Sequence, residues 1–305
     1  MDDTAVVSAF RSDRARVDYC RLYDAALAAS VIPISESDVE TSYGRTHVLD
    51  AGDPLKPPLV AFHGSSGSST SWVPFLPLLA ATHRVVMIDA IDEASKSAAI
   101  KPTTQISDIV AWLDETLRAL DIRRSAIVGA SRGAWMATHY ACTFPERLDR
   151  LALWCPVGLA PGLRLRFGIR ALTAMYARTT ESKVESFLDS MVMPANRPLL
   201  RQEPYRLMMQ QFVSGAVGFK KSLSDARPKP WPSHNDCDLS RLASAGTPVL
   251  AVIGRQESIY NGPKTATRLR QQLPEARIEL IDDANHMVMI DQREVVEKLL
   301  ADFLQ

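Results

Sequence analysis

Apolar residues follow two rhythms along this chain. Short, nearly unbroken apolar runs recur at 58–62, 84–88, 125–128, 151–154, 248–253 and 278–281. Between several of them, apolar residues return every three or four positions. In 106–120 this places Ile109, Val110, Leu113, Leu117 and Leu120 on one side. In 15–29 it places Val17, Tyr19, Leu22, Tyr23, Ala26 and Leu27 together, and 295–304 ends the chain in the same way. A period of 3.6 is the signature of a helix with one buried face, and short continuous runs fit strands buried on both faces. Strands alternating with helices predict an α/β fold, a parallel sheet with helices on both sides. Residues 39–42 and 46–49 flank Tyr43-Gly44-Arg45 and predict a hairpin ahead of that pattern.

The alternation lapses between residues 156 and 239. Helical patches stand there instead, at 163–177, 182–191 and 205–219, punctuated by prolines at 194, 198, 204, 228, 230 and 232. The expected organisation is a core formed by 1–157 and 240–305, with a helical cap, 158–239, inserted between two strands. The Pro-rich stretch 227–232 suits a return connection better than a free linker.

Composition narrows the functions. The chain has 305 residues, 46% of them hydrophobic, enough for a sizeable core. Lys plus Arg and Asp plus Glu both number 35, so the formal net charge is zero. That balance gives no support for nucleic acid or an anionic membrane as the main partner. No apolar stretch is long enough for a membrane span, and the acidic start, Met1-Asp2-Asp3, lacks the features of a secretory signal. Cys20, Cys142, Cys155 and Cys237 match no zinc or redox spacing. They read as reduced, mostly buried thiols, and the expected compartment is cytoplasmic.

The strongest chemical signal is Gly129-Ala130-Ser131-Arg132-Gly133. An apolar strand precedes it and a helical segment, 134–144, follows. A strand-to-helix turn this sharp leaves little room beside it, and it holds the serine hydroxyl clear of the sheet. Serine is a weak nucleophile and needs a base. His286 follows the run at 278–281, and parallel strands share one C-terminal edge, so its loop can reach Ser131. The base in turn needs a carboxylate to fix its tautomer. Glu257 follows the run at 248–253 and is the favoured candidate, with Asp282 and Asp283 as rivals close to His286 along the chain. Attack on an acyl carbon builds an oxyanion that needs N–H donors. The backbone N–H of Arg132 is one candidate. The backbone N–H of Ser65, in His63-Gly64-Ser65-Ser66-Gly67, is the other, with His63 supporting that loop. A phosphate-binding loop competes for this run, but no lysine occurs in it.

These residues resemble the α/β-hydrolase superfamily, and within it the small bacterial carboxylesterases. The resemblance is carried by His63-Gly64, Gly129-x-Ser131-x-Gly133, Gly254-Arg255-Gln256-Glu257 and Asn285-His286. Ser68-Ser69-Thr70-Ser71-Trp72, Asp89 and Phe144-Pro145-Glu146-Arg147 add to it. It implies a mostly parallel eight-stranded sheet, a helical cap, a Ser131–Glu257–His286 triad, and ester hydrolysis without cofactor or metal. Three positions depart from the pattern. Ala134 stands in place of a glycine. Asn285 stands where a glycine usually precedes the histidine, which would alter that turn. Arg132 would bring a charged, bulky side chain beside the nucleophile.

The expected function is a serine carboxylesterase acting on a small or medium, largely apolar ester, lactone or thioester. Met208, Met209 and Met287 are candidates for the substrate pocket, because methionine adapts to irregular apolar shapes. Core filling is the plainer role for each. Arg164, Arg166 and Arg170 form either a solvated face or an entrance for anionic substrates. Two alternatives remain open at this point. One is a different reaction on the same scaffold, as in C–C bond hydrolases, haloperoxidase-like enzymes or biosynthetic cyclases. The other is a non-catalytic receptor.

Overall fold

A computed structural model describes residues 10–159, 162–175, 179–219 and 237–305. The predicted return connection at 227–232 lies outside them. The chain opens with α1 (Asp13–Ala28), then the hairpin β1 (Ile34–Thr41) and β2 (Gly44–Ala51). There follow β3 (Pro58–Phe62), α2 (Leu76–Leu79), β4 (Arg84–Ile88), a two-residue β5 (Ala98–Ala99) and α3 (Ile106–Ala119). The elbow segment is β6 (Ser125–Ala130) and α4 (Arg132–Thr143), followed by β7 (Leu148–Trp154). The middle stretch holds α5 (Leu165–Met175), α6 (Glu181–Asp189), a 3₁₀ segment (Pro194–Arg201), α7 (Arg206–Gly218) and α8 (Leu239–Ala245). The chain ends with β8 (Val249–Gly254), α9 (Gly262–Gln272), β9 (Arg277–Ile281), α10 (Val288–Asp291) and α11 (Arg293–Leu304).

The strands form one sheet in the order β1-β2-β4-β3-β6-β7-β8-β9. Pairing is parallel from β4 onward, and β2 is antiparallel to its neighbours. The expected eight strands are the eight of this path. A ninth, β5, pairs with Gly44 and Arg45 at the start of β2. Two alanines are too short to leave a periodic trace in the sequence. The hairpin is longer than 39–42 and 46–49 suggest, because the exposed strand β1 is mostly polar and carries no apolar alternation.

The central strands are buried along nearly their whole length, as the unbroken apolar runs require. Phe62 pairs with Ile88 on one side and with Gly129 on the other. The loops after β3, β4 and β6 therefore leave the sheet side by side. Those after β7, β8 and β9 leave the same edge. Between β7 and β8 no strand occurs among the described residues. There α7 packs on α1, where Gly215 lets the helix come close to Tyr19. All four cysteines are free thiols; Cys142 and Cys155 are buried and the other two half-buried. Among the described residues no helix is long and apolar enough to cross a membrane.

Candidate active site

The elbow is built by close approach. A Cβ at Gly129 would lie 2.5 Å from the Gly133 carbonyl oxygen, and a Cβ at Gly133 would lie 2.2 Å from that of Phe62. Neither position can carry a side chain unless the backbone moves. Between them Ser131 takes φ 54° and ψ −115°, a conformation L-residues rarely adopt. It is held there by its N–H, which donates to the Trp154 carbonyl at 2.8 Å, and by the first turn of α4.

Three side chains from three strand ends meet in a line. His286 Nε2 lies 2.9 Å from Ser131 Oγ. His286 Nδ1 lies 2.8 Å from Glu257 Oε2. The other oxygen, Glu257 Oε1, accepts the Ile259 N–H at 2.7 Å. Glu257 is fully buried and His286 nearly so. A carboxylate only accepts hydrogen bonds, so the imidazole carries its proton on Nδ1 and leaves Nε2 free to accept from the serine hydroxyl. The rival acids are elsewhere. Asp282 pairs with Arg255 at the surface, and Asp283 is exposed and forms the turn itself with φ 51°.

The Cys155 thiol also approaches this group; its sulfur and the donor atoms of Glu257 and His286 lie within 4.8 Å of one another. Such a set could in principle hold a cation. Here, however, Nδ1 is committed to Glu257. Burial, with the charge of Glu257 beside it, pushes the Cys155 thiol well above its ordinary value and keeps it neutral. Tyr260, edge-on to the His286 ring, is pushed up for the same reasons. The arrangement suits an activated serine better than a metal.

The loop after β3 lies against the elbow. A Cβ on Gly64 would stand 3.4 Å from that of Ser131. Among the described residues the Ser65 N–H has no protein acceptor. His63 holds this loop. The Ala90 N–H donates to Nε2 at 2.9 Å, so Nδ1 carries the proton and donates to the Gly64 carbonyl at 2.8 Å. In a trans peptide, C=O and N–H point in opposite directions. The Ser65 N–H is therefore turned away from His63. The Arg132 N–H opens α4 directly after Ser131.

The Arg132 side chain does not stand as a free charge beside Ser131. Its guanidinium makes a two-pronged contact with Asp92, at 2.7 and 3.1 Å, and lies 3.6 Å from Glu93. Asn285 does not make the turn before His286 either, since the left-handed residue is Asp283. The Asn285 side chain instead accepts the His286 N–H at 2.7 Å and donates to the carbonyls of Ser190 and Val192. Asp291 accepts N–H groups from Asn285, Met193 and the Asn196 side chain. Residues 190–196 of the middle stretch are thus stitched to the histidine loop, and Met287 joins them through its N–H to the Met191 carbonyl. Met209 is buried in the core and Met208 half-buried beside it. Arg164, Arg166 and Arg170 are exposed. Nothing in the sequence pattern marks Asp291, and little marks Asp92 or Glu93. A pair of adjacent acids in the otherwise apolar segment 90–94 is the one available sign.

The chain belongs to the alpha/beta hydrolase fold family, whose pattern it matches over residues 57–292. It is 25% identical over 290 residues to the uncharacterized carboxylesterase nap of Bacillus subtilis (strain 168), covering 94% of this chain and 92% of that one. It is 29% identical over 271 residues to the 2-hydroxy-6-oxononadienedioate/2-hydroxy-6-oxononatrienedioate hydrolase 2 of Pseudomonas putida, covering 85% and 91%. The crystal structure of naproxen esterase (carboxylesterase NP) from Bacillus subtilis superimposes with a TM-score of 0.84 at 25% identity. That match covers 96% of this chain and 99% of the other.

Proposed function

We propose that this protein is a serine hydrolase of carboxylesterase type, with Ser131 as nucleophile, His286 as general base and acid, and Glu257 as the orienting carboxylate. The single observation that carries this reading is the continuous hydrogen-bonded line from Ser131 Oγ through His286 to Glu257. The Bacillus carboxylesterase relative and the Bacillus esterase structure, each similar over nearly the whole chain, support the choice of ester over other bonds.

His286 Nε2 takes the Ser131 proton as Oγ attacks the acyl carbon. The carbonyl oxygen gains a negative charge and accepts from the N–H groups of Ser65 and Arg132. The imidazolium formed is stabilised by the buried Glu257 charge. Collapse expels the alcohol with the proton from His286 and leaves an acyl group on Ser131. Water then attacks with His286 as base and frees the acid. Residues 158–239 serve as the cap over this site, a role supported by the bonds from 190–196 to the histidine loop. The substrate is a small or medium, largely apolar ester, lactone or thioester.

A second reading is favoured by one observation, the 29% identity to the Pseudomonas C–C bond hydrolase. Turnover separates the two. The enzyme is given p-nitrophenyl esters of increasing acyl length and, separately, a vinylogous 1,5-diketone carboxylate. Ester cleavage, with fluorophosphonate labelling that Ser131→Ala abolishes, is expected. Turnover of the diketone with esters left intact would reject the esterase reading.

A further inference from the structure

We infer that Glu93, with Arg132 and Asp92, forms a buried ionic clamp that sets the spacing of the two oxyanion donors, making Glu93 a positioning residue. The inference rests on the reading of the Ser65 and Arg132 N–H groups as that pair. The two donors belong to separate segments, the loop after β3 and the first turn after β6. Each sits next to a group of the clamp. Glu93 Oε2 accepts the N–H of Ser66, the residue after Ser65, at 3.2 Å. Glu93 Oε1 lies 3.6 Å from the guanidinium of Arg132, which Asp92 grips with both oxygens. One carboxylate thereby spans both sides of the oxyanion site.

The same loop holds the near end of the donor. The Ala90 N–H, through His63, fixes the Gly64 carbonyl on one side of Ser65, while Glu93 fixes the Ser66 N–H on the other. Residues 90–93 thus anchor both peptides that meet at Ser65, the one carrying the donor N–H and the next. The anchoring meets a real demand, since Ser66 sits at φ 59°, a conformation a serine does not hold without support.

Charge also argues for positioning over stability. The side chains of Arg132, Asp92 and Glu93 are 4%, 6% and 8% exposed. These are charged groups held together in a dry site. Buried ion groups of this kind are poor sources of stability, and apolar residues of similar volume often do better. What the clamp supplies is direction. The two-pronged Arg–carboxylate contact fixes an angle as well as a distance.

The test uses the full chain and a trifluoromethyl ketone, whose adduct with Ser131 carries an oxyanion in the same place as the transition state. Glu93→Ala removes both links. Its kcat is expected to fall on the order of 10- to 100-fold, below the roughly 10²- to 10³-fold typical of losing a donor outright. KM should stay within about threefold, and the ketone's inhibition constant should rise in proportion to the fall in kcat/KM. The acid limb of the pH profile should keep its midpoint, because the clamp does not touch His286. Glu93→Gln keeps an acceptor for the Ser66 N–H and should recover most of the loss. Should Glu93→Ala fail to fold, Glu93→Gln alone is still expected to weaken ketone binding by about 3- to 10-fold. Ketone binding equal to wild type in the folded variants, whatever their melting temperature, overturns the clamp. A wild-type enzyme that reacts with neither the ketone nor a fluorophosphonate refutes the site reading itself, and the clamp with it.

Discussion

Replacing Glu257 by glutamine should remove the base without changing the shape of the site. Both oxygens of Glu257 are in use: Oε1 accepts the Ile259 N–H at 2.7 Å and Oε2 faces His286 Nδ1 at 2.8 Å. Glutamine has one acceptor and one donor end. The Ile259 N–H can only donate, so the amide oxygen must face it and the NH₂ must face Nδ1. Nδ1 then has to accept, which moves the ring proton to Nε2 and aims it at Ser131 Oγ. The histidine is left in the tautomer that cannot take the serine proton, and the charge that stabilised the imidazolium is gone. The analogous acid-to-amide change in a chymotrypsin-type triad costs about 10⁴ in kcat. A loss of 10³ to 10⁴ corresponds to roughly 4–5.5 kcal/mol of transition-state stabilisation. The assay is kcat/KM on p-nitrophenyl acetate, with circular dichroism to confirm the fold and fluorophosphonate labelling rates as a second measure of serine reactivity. Glu257→Asp tests the same idea by length. Shortening by about 1.5 Å withdraws the carboxylate from Nδ1 and should also lose activity, with the charge kept. Asp282→Asn and Asp283→Asn should stay near wild type. If Glu257→Gln keeps more than a tenth of wild-type activity while either Asp variant is crippled, the assignment of the acid is wrong.

Other outcomes are equally checkable. Ser131→Ala should abolish ester turnover and labelling while leaving the melting temperature within a few degrees, and labelling that persists at another serine would move the nucleophile. Asp291→Ala leaves the N–H groups of Asn285, Met193 and Asn196 without their acceptor; at about 1 kcal/mol or more per buried donor, the melting temperature should fall by roughly 5–10 °C, and kcat should fall with it as the histidine loop loosens. At Asp108 burial works against ionisation, but the N–H groups of Thr104 and Gln105 and the hydroxyls of Thr104 and Tyr43 outweigh it and hold the carboxyl below its ordinary range. Asp108→Ala should therefore cost about 1 kcal/mol at the start of α3 in thermal melts at neutral pH. Because the folded pKa is depressed, that stabilisation is present above the ordinary carboxylate range and disappears as pH falls through the folded value, so the two proteins should converge in strong acid.

The parts of this molecule that the sequence made legible are those set by periodicity and backbone constraint. The runs at 58–62 and 84–88 coincide with β3 and β4, and 106–120 with α3, because a strand buried on both faces leaves no room for polar residues and a half-buried helix must repeat every turn. Gly129 and Gly133 were readable for the same reason, since a turn that admits no Cβ admits few residues. Ser131, Glu257 and His286 could be picked out because parallel strands end on one edge, which makes loop position a proxy for proximity. What escaped the sequence is whatever depends on where a long side chain swings. Arg132 looked like a charge beside Ser131, yet it is paired with Asp92 and Glu93, about forty residues earlier along the chain. Asn285 looked like a disturbed turn, yet it is a hydrogen-bonding bridge to Ser190 and Val192. No spacing rule links such partners. They meet because β4, β3 and β6 are neighbours in the sheet, and because residues 190–196 lie against the loop after β9. Catalytic groups at strand ends are placed by topology, which leaves a pattern. The contacts that tune them are placed by rotamers, which leave none, and so the chemistry of this site was readable before its precision was.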